Sequence, residues 1–207
     1  MRSVAKQPVE APRSRRGTPV WELARLYPTQ GHWTEEDYLE LETNLLIEYT
    51  DGVLEFLDMP SPQHQLILQY IQMRLLNFVL KSRRGSVMAA PLPIRVASMT
   101  YREPDIVYFV KKLADLSKAP NGADLVMEVV SPGNANRRRD LIKKRREYAD
   151  AGISEYWIVD PENSAITVLA LKGGKFEVAG KYKPGQTAVS RLLPNFEIDV
   201  AEAFSAD

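Results

Sequence analysis

Apolar residues recur along this chain with two different periods, and the switches between them outline its elements. Between Ser61 and Gly85, the residues Ile67, Ile71, Leu75, Phe78 and Val79 fall three and four apart, which predicts a long helix with one buried face. Pro62 at its first position is pre-organised for a helix, and Gly85 lies just past its end. Short apolar runs without that period predict strands at 86–90, 93–97, 104–110 and 124–130. A second helix, about 136–151, stops at Gly152, and 154–160 follows as a strand. Segments 165–171, 175–180 and 188–193 read as a strand meander that turns at Gly173-Gly174. Nearer the start, Thr34 can cap a helix with Asp37 closing the box. Thr50-Asp51-Gly52 joins two apolar runs, 45–49 and 53–57, as a hairpin. No internal repeat is present. Helix, three strands, helix, strand is the core order of an α/β (α+β) fold, with its sheet covered on its faces.

A chain of 207 residues suits one domain with a short appendage. The hydrophobic fraction of 44% against 26% charged excludes a disordered or collagen-like chain. Residues 1–19 combine Arg2, Lys6, Arg13, Arg15 and Arg16 with three prolines and are expected to be a flexible basic arm. That leaves 20–207 as a single domain. No apolar signal region follows the arm, and no apolar run approaches the roughly 18–20 residues that span a bilayer. A cytoplasmic protein without a membrane partner is expected.

Lys+Arg 27 balances Asp+Glu 27, so any surface for nucleic acid must be local. Cysteine is absent and only His32 and His64 are present. Disulfide scaffolds, thiolate metal sites, cysteine nucleophiles and histidine-rich zinc sites are excluded. Carboxylates and lysines are left to carry ionic chemistry.

Glu128 interrupts the run Leu125-Val126-Met127-Glu128-Val129-Val130. A carboxylate there is costly unless it is paired or holds a cation; the plain reading is a strand-end Glu that meets an Arg. Asp105 follows Pro104 at the entry to the 106–110 run, where turn chemistry is the plain reading. Two strands that each present a carboxylate at similar depth suit a hard divalent cation with oxygen ligands, Mg²⁺ or alternatively Mn²⁺. Asp140, Lys144 and Tyr148 are spaced i, i+4, i+8 and share a helix face. An Asp–Lys pair of this kind is ordinarily a solvent-side support. Above a carboxylate–metal site, however, the lysine could hold an attacking water or neutralise a phosphate oxygen.

Around that face, Arg137, Arg138, Arg139, Lys143, Arg145 and Arg146 outnumber Asp140 and Glu147. Charge runs are usually solvated faces, but this local excess in a neutral chain points to phosphate contacts. No aromatic residues interleave the run, so a stacking platform for single strands is not indicated. His64, in the first turn of the long helix, reads as a cap or surface residue, or else as an auxiliary base or ligand facing the carboxylates. Glu48 and Glu55 on the hairpin are weaker candidates for the same neighbourhood. Asp160 reads as a turn residue.

Pro104-Asp105, then Glu128-Val129-Val130-Ser131-Pro132, then Asp140 and Lys144 through Tyr148, Ala151-Gly152 and Glu155 to Pro161 together resemble the Uma-two family of restriction endonucleases. That family lies within the broad PD-(D/E)XK nuclease-like superfamily. The resemblance runs from about Trp33 to Phe196. It implies a restriction-endonuclease-like αβββαβ core: helix 62–82, strands near 93–97, 104–110 and 124–130, helix 136–151 and strand 154–160. An N-terminal helix and hairpin precede this core and the strand meander follows it. The resemblance also implies a metal site at Asp105 and Glu128, and Mg²⁺-dependent hydrolysis of DNA phosphodiesters. In the superfamily a lysine stands two positions after the acidic residue; here that position is Val130, and Lys144 is the replacement. Asp105, Glu128 and Lys144 are then the catalytic set, with His64, Glu48, Asp140 and Tyr148 auxiliary. Arg137, Arg138, Arg139, Arg145 and Arg146 would position the nucleic acid.

A second reading keeps the fold without the chemistry, as a catalytically inactive nucleic-acid-binding or regulatory module. A third is a homodimerisation unit, because the meander leaves sheet edges to be covered.

Overall fold

The computed structural model describes residues 27–43, 45–111 and 113–206, so the basic arm expected at 1–19 lies outside the described residues. A six-stranded sheet forms the centre. Its strands are β3 (Ser86–Ala89), β6 (Ile106–Phe109), β7 (Leu125–Val129), β8 (Glu155–Asp160), β9 (Ala165–Lys172) and β10 (Lys175–Tyr182), in the order β10-β9-β8-β7-β6-β3. Neighbours are antiparallel except β7 and β8. A parallel pair cannot be closed by a hairpin and needs a crossover. Here the crossover is the helical stretch α3 (Asn134–Arg138), a π-helical segment (Arg139–Lys144) and α4 (Arg145–Asp150).

Helix α2 (Pro62–Ser82) covers one face. Ser61 caps it by accepting from the His64 N–H, and Pro62 occupies its first turn. Ile67, Ile71, Leu75 and Val79 pack on Tyr108, Leu125, Met127, Val129 and Trp157. Each such side chain removed from water contributes about 1.5–3 kcal/mol. The opposite face packs Val107, Phe109, Val126 and Val130 against Tyr148 and Ala149 of the crossover. Side chains alternate along β7. Leu125, Met127 and Val129 therefore meet α2, while Val126, Glu128 and Val130 turn toward the crossover.

A second sheet, ordered β2-β1-β5-β4, joins β1 (Ile47–Thr50), β2 (Val53–Phe56), β4 (Ile94–Ala97) and β5 (Thr100–Arg102). The Asp51-Gly52 turn links β1 to β2, with φ of 46° and 82°. Helix α1 (Glu35–Leu39) carries the expected capping box of Thr34 and Asp37, and Tyr38 packs with Trp33, Ile47, Tyr49, Leu54 and Tyr101. Two short strands, β11 (Thr187–Val189) and β12 (Glu197–Asp199), pair with each other, and α5 (Val200–Phe204) follows them.

The fold class stands, with two changes of membership. The three strands after α2 in the central sheet are 86–89, 106–109 and 125–129; the strand at 94–97 belongs to the second sheet. Pro91 and Pro93 have no N–H to donate to a ladder, so the chain leaves the central sheet after Ala89 and re-forms a strand with β5. Likewise the third arm of the expected meander shortens to β11, in a sheet of its own, because Pro184-Gly185 turns the chain off after β10. Among the described residues, no helix is long and apolar enough to cross a membrane.

Candidate active site

The register of β6 and β7 brings two carboxylates together. Ile106 pairs with Met127, so one step further along the ladder sets Asp105 opposite Glu128, on the same face of the sheet. Asp105 Oδ2 accepts from the Val129 N–H at 2.7 Å and lies 3.3 Å from His64 Nε2. Both carboxylates line one cavity of about 260 Å³, with Glu103, His64, Arg139, Asp140 and Lys144 also in its wall.

The crossover delivers the lysine. Lys144 Nζ donates to Glu128 Oε1 at 2.8 Å, lies 2.9 Å from Glu48 Oε1 and is 3.8 Å from Asp140 Oδ1. The Tyr148 hydroxyl donates to the same Glu128 oxygen at 2.6 Å. Asp140, Lys144 and Tyr148 therefore share the inward face, although the helix between them is not regular. The segment between them is a π-helix, and the Asp140 carbonyl accepts from the buried Tyr156 hydroxyl at 3.1 Å. Val130, at the superfamily's usual lysine position, lies in the apolar layer.

The protonation states follow from burial and charge. Burial alone would push the Lys144 ammonium down, but Glu128, Glu48 and Asp140 together hold it well above its ordinary value. It is an ammonium at neutral pH, able to donate hydrogen bonds but not to take a proton from water. Burial pushes the Glu128 carboxyl above its ordinary value; the Lys144 ammonium opposes this, while Asp105, Asp140 and Glu48 reinforce it. Glu48 moves the other way: Lys144 and Arg102 outweigh its burial and keep it below the usual carboxylate range. The Asp105 carboxylate beside His64 outweighs burial and raises the imidazole.

Three further charged residues complete the site, and no local pattern in the sequence marks them. Arg102 is wholly buried. It forks onto Glu147 at 2.8 and 2.7 Å, donates to the carbonyls of Tyr49 and Tyr101, and lies 3.6 Å from Glu48. Glu103 accepts from the Ile47 N–H at 3.1 Å, and burial pushes its carboxyl up to about 7.

The arginines divide. Arg137 is held bidentate by Asp160 at 2.9 and 2.6 Å and lies 3.1 Å from Glu162, so Asp160 is an ion-pair partner as well as a turn residue. Arg139 reaches the cavity wall, near Asp140 at 3.3 Å and Glu55 at 3.8 Å. Arg145 donates to the Phe176 carbonyl. Arg138 and Arg146 point to solvent, Arg146 within 3.7 Å of Asp150.

Two observations bear on whether a cation fits. Asp105 Oδ1 and Glu128 Oε2 have no hydrogen-bond donor among the described residues. Among the described residues, three or more His, Asp or Glu side chains do not gather as a ready-made metal cluster. Two acidic oxygens that are otherwise unsatisfied suit a hard cation that keeps several waters, as Mg²⁺ does.

A central mixed sheet flanked by helices, with acidic side chains at the ends of adjacent strands, is the frame of a nuclease-like α/β protein. The sequence profile of the Uma2 family, described as "Putative restriction endonuclease", matches residues 35–201, and the chain belongs to that family. Among solved structures it is similar to a putative nuclease belonging to DUF820 from Anabaena variabilis ATCC 29413. The TM-score is 0.66 at 19% identity, over 82% of this chain and 96% of the other. That likeness establishes a shared fold. No curated protein matches the chain.

Proposed function

We propose that this protein is a Mg²⁺-dependent endonuclease that hydrolyses DNA phosphodiester bonds, with Mn²⁺ able to replace Mg²⁺. The observation that carries this reading is the placement of Asp105 opposite Glu128 with the Lys144 ammonium against Glu128, in one cavity. Asp105 Oδ1 and Glu128 Oε2 would hold the cation. When bound, it supplies Lewis acidity and lowers the pKa of a coordinated water.

The remaining work falls to this chain's own side chains. Lys144 and Tyr148 both donate to Glu128 Oε1, which fixes the carboxylate and leaves Oε2 toward the cavity. As an ammonium, Lys144 offers N–H donors to a water or to a non-bridging phosphate oxygen, where negative charge grows during attack. Glu48, anchored by Arg102, keeps Lys144 charged. His64 steadies Asp105. Arg138 and Arg146, projecting to solvent, would contact backbone phosphates and position the strand without reading sequence.

The test is nicking of supercoiled plasmid with and without Mg²⁺ by the native protein and by Asp105→Ala, Glu128→Ala and Lys144→Ala. Mg²⁺-dependent nicking by the native protein alone is expected. Equal nicking by all four proteins would overturn the proposal, and salt-sensitive DNA binding without nicking would establish the inactive module instead.

A further inference from the structure

The acidic pair lies at the bottom of a recess. Glu128 and Lys144 are 4% and 1% exposed, and the Asp105 side chain is 14% exposed. Leu45 and Met59, which line the same cavity, are 51% and 82% exposed. Its mouth is therefore at the base of the β1–β2 hairpin and at segment 57–61, which leads into α2. Asn136 of the crossover donates to Asp58 in that segment at 3.0 Å, and Arg139 and Lys143 lie 3.8 and 3.6 Å from Glu55 of β2. These contacts fasten the rim to the crossover. A duplex carries its phosphates on the outside of a stacked rod, so a phosphate reaches groups this deep only when its strand leaves the stack.

The cavity wall has two chemistries. The acidic pair, Arg139 and Lys144 make up one part of it, and Leu57, Met59, Pro60 and Leu68 another. A sugar–phosphate backbone is polar throughout and has no use for the second part. A nucleobase does: its faces are apolar, and a base taken out of its stack is held between apolar or aromatic side chains. The volume of about 260 Å³ falls below the roughly 300–1,000 Å³ of pockets for drug-sized ligands. One nucleotide fills such a space, whereas a base pair or a run of stacked bases exceeds it.

We infer that the substrate is DNA in which the strand to be cut is locally unpaired, with one extruded nucleotide entering the cavity. Its base rests on the wall of Leu57, Met59 and Leu68, and its phosphate comes to the Lys144 ammonium beside Asp105 and Glu128. Single strands, flaps and bubbles meet this requirement, and a supercoiled plasmid meets it where its strands separate. A relaxed duplex must first be unstacked and is a poor substrate. The inference rests on the nuclease reading and narrows it to a substrate class.

One labelled oligonucleotide is offered with Mg²⁺ as a single strand, as a duplex with a central bubble of unpaired bases, and as a full duplex. Cleavage of the first two, the second within its bubble, should be about 100-fold faster than that of the third. Equal rates on all three would overturn the inference and leave the nuclease reading standing; cleavage of none would overturn both. A second arm needs no catalysis. With Mg²⁺ present, isothermal titration calorimetry should show thymidine 5′-monophosphate binding about tenfold more tightly than deoxyribose 5-phosphate, which lacks the base. Leu57→Asn combined with Met59→Asn should bring the nucleotide down to the affinity of the sugar phosphate. Equal affinities in the native protein, or a preference that survives the double variant, would likewise overturn the inference.

Discussion

Lys144 and Glu128 are 16 residues apart in sequence, one on a helix and the other on a central strand, yet they meet at 2.8 Å with almost no exposure to solvent. Burying a lone charge costs several kcal/mol; burying a pair is tolerable only when each charge is answered. Here one ammonium answers Glu128 and Glu48, and Arg102 supports Glu48 from the far side. The crossover helix is therefore tied to both sheets by charge as well as by apolar packing.

Removing the ammonium should unfasten this arrangement. Lys144→Met leaves Glu48 and Glu128 buried without their cation and should destabilise the protein by about 3–5 kcal/mol. Tyr148→Phe removes one hydrogen bond to Glu128 and should cost about 1–3 kcal/mol. Urea unfolding of the two variants measures both costs, and a Lys144→Met protein as stable as the native chain would contradict the electrostatic account.

Cation binding should register as stability independently of catalysis. Mg²⁺ or Mn²⁺ at about a hundred times its dissociation constant should stabilise the fold by about 2.7 kcal/mol. A thermal melt would show this as a rise in Tm. Asp105→Asn or Glu128→Gln should abolish the rise, whereas Asp150→Asn, whose exposed carboxylate lies 3.7 Å from Arg146 and outside the cavity, should preserve it.

Glu103 should make stability fall with rising pH. Its carboxyl is raised from 4.5 to about 7 in the folded state, so between those values the folded chain binds more protons than the unfolded chain. Stability then decreases as pH rises through this window and levels off above it. Glu103→Gln removes that contribution and should be more stable than the native protein by roughly 1–3 kcal/mol at pH 8, with the advantage vanishing near pH 4. The difference between the two unfolding curves isolates this one group. A pH-independent difference would rule the account out.

Asp160 should act with the opposite sign. Arg137, in a bidentate pair, and the side chain and N–H of Asn163 hold its carboxyl at about 2 against an ordinary 3.8. This stability is fully present above pH 4 and is lost as pH falls through about 2. Asp160→Asn should therefore cost roughly 1–2 kcal/mol at neutral pH, and the gap should close on acidification. Chemical denaturation from pH 7 down to pH 2 measures the closing.

Elements whose signals are local could be read directly. The Ser61-Pro62 helix start, the Thr34–Asp37 box and the Asp51-Gly52 hairpin each arise from contacts within a few residues, and each forms where the pattern puts it. The assignment of 94–97 to the central sheet failed because a four-residue apolar strand looks the same in either sheet. Only long-range pairing with β5 distinguishes them. The π segment was equally hidden: Tyr156, a residue from another strand, reaches the Asp140 carbonyl, a contact that no local pattern shows.

From the order of residues alone followed the element types, the fold class, and the expectation that Asp105, Glu128 and Lys144 would work together. The reason is physical: a carboxylate in an apolar strand is costly, and a cost of that kind announces a partner. Which partner it takes is a matter of distance in space. Arg102 and Glu103 give no warning of their burial, because nothing within a few residues of them sets it. Only the packing of the second sheet against the crossover brings Glu48 to Lys144 and sends Arg102 to Glu147, and only the neighbouring central strands pair Arg137 with Asp160 and Arg145 with the Phe176 carbonyl.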